Sequence, residues 1–182
     1  MPYEPPPHLA ELSLAEIAEQ VAARKLPPVE SWDPQKVTDS FMRIAADGTW
    51  YHQCDPIKRE AMVRAFAGLL TRDEAGEHWL VTPFERSAIE VEDAAFIAVD
   101  AARREGGLAF RLNTDELVIA GTENRLRAAG DAETPALYLH VRRGCEARLN
   151  RSTYQQLADI ALEEGDDWTV ASMGETFSLL PA

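Results

Sequence analysis

Apolar and polar positions along the chain follow two rhythms, helical near the start and once within each half and alternating elsewhere. Leu14, Ile17, Ala18 and Val21 recur at helical spacing behind Ser13-Leu14-Ala15-Glu16. That tetrapeptide is a capping box, and Leu12 before it is placed to staple against Ile17. Pro27-Pro28 end this helix, and Trp32 to Asp39 reads as a loop. Phe41–Ala45 and Thr49–Gln53 read as strands around Asp47-Gly48, a strong hairpin signal. Asp55-Pro56 predicts a helix start, with aspartate as cap and proline at the first helical position. Ile57, Ala61, Met62, Ala65, Phe66, Leu69 and Leu70 would form its buried face. Trp79–Thr82 and Ala88–Val91 follow as strands joined through Pro83.

From Ala95 the period is two. Leu108, Phe110 and Leu112 alternate with Ala109, Arg111 and Asn113, as Leu137, Leu139 and Val141 do with Tyr138, His140 and Arg142. Such alternation marks strands with one buried face. Gly106-Gly107 predicts a hairpin between Phe96–Arg104 and Leu108–Asn113, and Thr114-Asp115 a turn into Leu117–Ala120. A last helix is expected over Arg151–Glu164, then a hairpin of Trp168–Met173 and Thr176–Leu180 around Gly174. The Pro-rich start (Pro2, Pro5, Pro6, Pro7) reads as extended chain.

The two halves also resemble each other. At an offset of 92 residues, Ile57 to Met62 falls on Leu149 to Tyr154 with Arg59 on Arg151. The acidic turn Asp73-Glu74 then matches Asp166-Asp167, and Trp79-Leu80-Val81 matches Trp168-Thr169-Val170 after a three-residue gap. The fold class expected is α+β: two related halves, each a hairpin-helix-strand-strand unit, the second a small barrel-like sheet with a terminal helix. An N-terminal arm would span 1–31, the first half 32–93 and the second 94–182.

Composition narrows the class of partner. With 46% hydrophobic residues the chain can bury a substantial core, so disorder is not expected. Its 31 acidic and 18 basic side chains leave a formal charge of −13, which repels nucleic-acid polymers and anionic membranes. A small anion meeting a local arginine cluster is not excluded. Met1 to Leu12 has no continuous apolar stretch, and no run approaches a membrane span, so a cytoplasmic protein is expected. Cys54 and Cys145 stand outside any CxxC or Cys/His pattern and read as reduced thiols. His8, His52, His78 and His140 are scattered, no nucleophile motif or glycine-rich phosphate loop occurs, and neither metal nor cofactor is expected.

Several blocks carry a family resemblance. Phe41-Met42-Arg43-Ile44, Asp47-Gly48-Thr49-Trp50, Pro56-Ile57-Lys58-Arg59, Leu80-Val81-Thr82-Pro83 and Ile89-Glu90-Val91-Glu92-Asp93 resemble a bacterial family, domain of unknown function 1285. Leu112-Asn113-Thr114 and Glu146 to Arg151 resemble the rest of its pattern, over Trp32 to Ala161. Gln53-Cys54-Asp55, where a glycine is expected, and Glu123-Asn124-Arg125-Leu126, where a proline is, depart from it. The resemblance implies a duplicated architecture with a pleckstrin-homology-like second half. It also implies a signalling role in which a nucleotide-like ligand binds between the halves.

Arg59 and Arg151 are the leading candidates, because each is expected in the first turn of its helix, where the macrodipole disfavours a cation. A guanidinium beside free helix N–H groups makes a clamp for phosphate or carboxylate. Arg43 and Arg148 at strand ends, with Thr82, Glu85, Glu92 and Asp93, complete the candidate ligand set. The alternative for these arginines is structural pairing with Glu85, Glu92 or Asp93. Glu92 and Asp93 fail as a catalytic dyad, since neighbours on a strand point to opposite faces. Trp79 and Trp168 read as core rather than as stacking platforms. The expected function is a non-enzymatic binding or sensory module for a small anionic, nucleotide-like ligand. A protein-interaction adaptor and a hydrolase of a nucleotide-like substrate are the alternatives.

Overall fold

The computed structural model describes residues 7–165 and 167–182. Pro2, Pro5, Pro6 and Asp166 therefore lie outside the described residues. The chain divides into two compact units, one formed by Lys25–Phe96 with Val141–Glu146, the other by Met1–Arg24, Ile97–His140 and Ala147–Ala182.

The first of these is built on a six-stranded sheet. In chain order its elements are β1 (Lys36–Ile44), β2 (Trp50–His52), β3 (Asp55–Pro56), helix α2 (Glu60–Ala67; α1 is Leu14–Ala23), β4 (Leu70–Arg72), β5 (His78–Val81) and β6 (Glu85–Val91). The strand order is β3-β2-β1-β6-β5-β4. The expected hairpin at Asp47-Gly48 forms, with Gly48 at φ 90° and the Asp47 carboxylate accepting from the Thr49 N–H at 2.9 Å. Trp50, Ile44 and Leu70 are almost fully buried on the inner face. There the Trp50 ring lies 6.4 Å from Phe66 of α2, nearly parallel to it. Burying an indole of roughly 200 Å² is worth about 5 kcal/mol, so this contact anchors the short helix.

Two expectations are corrected in this unit. The segment read as a loop is the first half of β1, with Lys36–Asp39 pairing in parallel with Glu85–Ala88. A bulge follows before Met42, and Phe41 there sits at φ 56°. Asp55-Pro56 does not start a helix either; it forms an edge strand, Tyr51 opposite Pro56 and His52 opposite Asp55. Gln53 (φ 49°) and Cys54 (φ 75°) make its two-residue left-handed turn. An edge strand tolerates the missing proline donor as readily as a first helical turn does, so the dipeptide fits both. Helix α2 therefore starts at Glu60 with Arg59 as its N-cap residue, and Leu70 passes into β4.

The Val141–Glu146 segment completes this unit. It is the tip of a hairpin between β11 (Pro135–Arg142) and β12 (Cys145–Leu149), turned by Arg143 (φ 51°) and Gly144 (φ 79°). A side chain on Gly144 would place its Cβ 2.7 Å from the Arg72 carbonyl oxygen, so glycine is required. Arg142 donates to the Ala67 carbonyl at 3.0 Å, and Arg143 to those of Gly68 at 2.7 Å and Pro27 at 2.8 Å, and also to Glu30. Two guanidinium groups thus satisfy the last carbonyls of α2, at the end of the dipole that favours cations.

The other unit follows the sequence expectations closely. The hairpin β7 (Phe96–Arg104)–β8 (Gly107–Leu112), β9 (Leu117–Ile119), helix α3 (Arg151–Glu164) and the hairpin β13 (Thr169–Ser172)–β14 (Glu175–Ser178) all form. With β10 (Leu126–Gly130), the six-stranded order is β10-β11-β12-β7-β8-β9. On α3 the buried residues are Thr153, Leu157, Ala158 and Ala161, whereas Leu162 is 53% exposed. The Ser13–Glu16 capping box of α1 is complete. Leu9, Leu12 and Ile17 pack with Ala109 and Leu117, so the N-terminal segment covers one face of β8 and β9.

The fold is thus α+β with two six-stranded sheets and few helices. What the halves share is the strand order: each sheet joins two three-stranded runs through its first and sixth strands. The offset that superposes these strands is about 60 residues (Lys36 onto Phe96, Glu85 onto Cys145), not 92. The helices do not correspond, since α2 lies between third and fourth strands and α3 follows the sixth.

Candidate functional site

The inner face of the first sheet is packed, but its outer face carries chemistry. Strand register sets the side chains there in rows. One row is Tyr51, Arg43 and Glu90; the next is Asp39, Ala88, Trp79 and Thr71; the third is Val37, Arg86 and Val81. The Arg43 guanidinium lies over the Tyr51 ring and the Arg86 guanidinium over the Trp79 ring, each 4.4 Å from the centroid. Tyr51 and Trp79 are both half-buried, and between them Ala88 leaves a low floor. A groove of about 600 Å³ runs over this surface, lined by Arg43, Tyr51, Trp79 and Ala88 and rimmed by Phe41, Gln53 and Cys54.

The rim is strained. Phe41, Gln53 and Cys54 are non-glycine residues in the left-handed region, and Phe41 is 62% exposed. A bulky aromatic held so is an outlier of the kind that accumulates at binding sites. The platforms beneath are fixed. Glu92 accepts hydrogen bonds from Arg43 and from the Ala46 N–H (2.9 Å), which holds the guanidinium plane on Tyr51. Asp73 accepts from Trp79 Nε1 at 3.0 Å and from the Glu77 N–H at 2.9 Å. Those bonds, the indole's first, hold its carboxyl below the usual range. Burial, with the Arg72 charge, pushes the His78 imidazole down, so it is neutral at neutral pH.

A second groove of about 570 Å³ lies on the other side of Trp79, lined among others by Trp32, Asp33, Thr71, Val81 and Arg86. Trp79 lines both grooves. Among the described residues, no three histidine, cysteine or acidic side chains are arranged to hold a metal ion.

Of the candidates named from sequence, Arg43 alone lines either groove, with Glu92 bound behind it. Thr82 is engaged in a tight turn: its Oγ1 accepts from the Phe84 and Glu85 N–H groups at 3.3 and 3.1 Å. Glu85 pairs with Lys36 at 3.4 Å, and half-buried Asp93 also has an interacting partner. Arg59 is exposed at the N-cap of α2, not within its first turn. In the other unit, Arg148 is exposed on β12 with its guanidinium 5.9 Å from the Tyr138 ring centroid. Arg151 is exposed as the first residue of α3, behind an Asn150 side chain that caps the Thr153 N–H at 2.9 Å.

Sequence reasoning passed over Tyr51 and Arg86 and assigned Trp79 to the core. Trp79 is instead half-buried on the open face, and Trp168 is 36% exposed. The available signal was strand parity: with Trp50 inside, Tyr51 and its cross-strand neighbour Arg43 must face out.

Comparisons with known proteins agree with this architecture. A family model described as the N-terminal domain of domain of unknown function DUF1285 matches residues 27–94, and the C-terminal domain of the same family matches 95–179. A crystal structure of a DUF1285 family protein from Silicibacter pomeroyi DSS-3 is 38% identical, with 93% of this chain and 96% of that one covered and a TM-score of 0.76. A DUF1285 family protein from Shewanella baltica OS155 shares the fold at 22% identity, covering 66% of this chain and 91% of its own, with a TM-score of 0.55. No curated protein matches the chain. No helix among the described residues is long and apolar enough to cross a membrane. With both domain models matched in order across residues 27–179, the chain belongs to the DUF1285 family.

Proposed function

We propose that this protein is a non-enzymatic binding module for a small nucleotide-like ligand, and that the ligand lies in the groove on the outer face of the first sheet. The observation that carries this reading is the pair of arginine-covered aromatic rings, Arg43 on Tyr51 and Arg86 on Trp79, beside a strained rim. Guanidinium planes and aromatic edges suit a flat heterocycle, by stacking worth about 1–3 kcal/mol per base. Arg43 supplies charge for a phosphate, while Glu90 and Asp39 supply acceptors for ribose hydroxyls. A role in signalling and the pleckstrin-homology-like character of the second half belong to the same proposal, and rest on the family resemblance.

Cys54 offers a direct readout, because it is exposed at the rim while Cys145 is buried. Nucleotides at millimolar concentration are expected to raise the melting temperature and to slow alkylation of Cys54. Tyr51→Ala should abolish both effects. An unchanged alkylation rate and melting temperature across the common nucleoside mono- and triphosphates would sink the reading.

A further inference from the structure

The second groove changes the size of ligand to expect. Trp79 is its shared wall with the first, and Arg86 stands over that ring on the second groove's side. The other charges there are largely committed: Arg143 to Glu30, Arg72 to Glu146 and Asp73 to the Trp79 indole. Arg86, by contrast, is exposed and has no ion pair among the described residues. Beyond it, half-buried Trp32 presents an aromatic surface and exposed Asp33 a carboxylate. Ring, cation and acceptor thus recur on both sides of Trp79.

We infer that the ligand is a dinucleotide, two heterocycles joined through phosphate, with one base in each groove and the bridging phosphate at Arg86. This rests on the reading of the first groove given above. It assigns Arg86 and Trp32 to ligand length and Tyr51 and Arg43 to the first base.

The test titrates the full-length protein with AMP and GMP against ApA and GpG, reading melting temperature and protection of Cys54 from alkylation. At least one dinucleotide should bind tenfold or more tightly than its mononucleotide. Arg86→Gln and Trp32→Leu should each remove that advantage, and Trp32→Leu should leave mononucleotide affinity within about twofold. Both side chains are partly or fully exposed, so neither change threatens folding, and unchanged melting of the unliganded variants would verify this. Equal affinity for mono- and dinucleotides, or an advantage that survives Arg86→Gln, overturns the inference while leaving the first groove's role intact. Absence of any response to all four overturns both.

Discussion

Arg143 occupies a tightly constrained position in the first unit. Its side chain is only 7% exposed, its backbone is left-handed, and its guanidinium serves two carbonyls and the Glu30 carboxylate. Glu30, bonded by that guanidinium first of all, is held below the ordinary carboxylate range. Replacing Arg143 with methionine keeps much of the volume but strands the Gly68 and Pro27 carbonyls. The expected loss is about 2–4 kcal/mol, read from a denaturant midpoint that falls with unchanged slope. Little of this was visible in sequence, because an arginine before a glycine reads equally well as a solvated turn. The same limit applied to Trp79. Its size argued for burial, and only the register of β5 against β6 reveals that it shares the open face with Arg86.

Elements were legible where local chemistry has one solution. The Ser13–Glu16 box, the Gly48 hairpin and the span of α3 follow from capping and turn rules, and each forms as expected. Legibility failed where one local signal serves two structures, as with Asp55-Pro56, or where pairing is distant, as with Lys36–Asp39 against Glu85–Ala88. Helix α1 offers a check at this scale. Ser13→Ala removes an acceptor for the Glu16 N–H at 3.2 Å and should cost about 1 kcal/mol. The loss should appear as faster hydrogen exchange confined to the first turn of α1, alongside a small drop in melting temperature. A fall of several kcal/mol would mean that the segment holds far more than its own start.

At the scale of the whole molecule, the compact unit that ends at Phe96, beside the boundary between the family's domain models at residues 94 and 95, also takes in Val141–Glu146. The unit holding the candidate grooves needs Val141–Glu146, whose arginines finish a two-turn helix too short to persist alone. A fragment of Lys25–Phe96 alone should show no cooperative unfolding transition. Adding a peptide spanning residues 139–148 should restore part of the protection of α2 amides. Cooperative melting of the bare fragment at the parent's midpoint would refute this. The duplicated appearance of the sequence pointed toward two halves, but its 92-residue offset matched helices that occupy different places, while strand order gives about 60.

The hairpin tip at Arg143-Gly144 also sets a timetable for synthesis. A ribosome that has released everything through Val91 has delivered all six strands of the first sheet, yet the carbonyls at the end of α2 still await the Arg142 and Arg143 donors, about 50 residues further along the chain. Until those residues emerge, the nascent chain carries an unfinished helix beside exposed strand edges, and chaperone contact should concentrate in that interval. The N-terminal sheet is translated first and completed late.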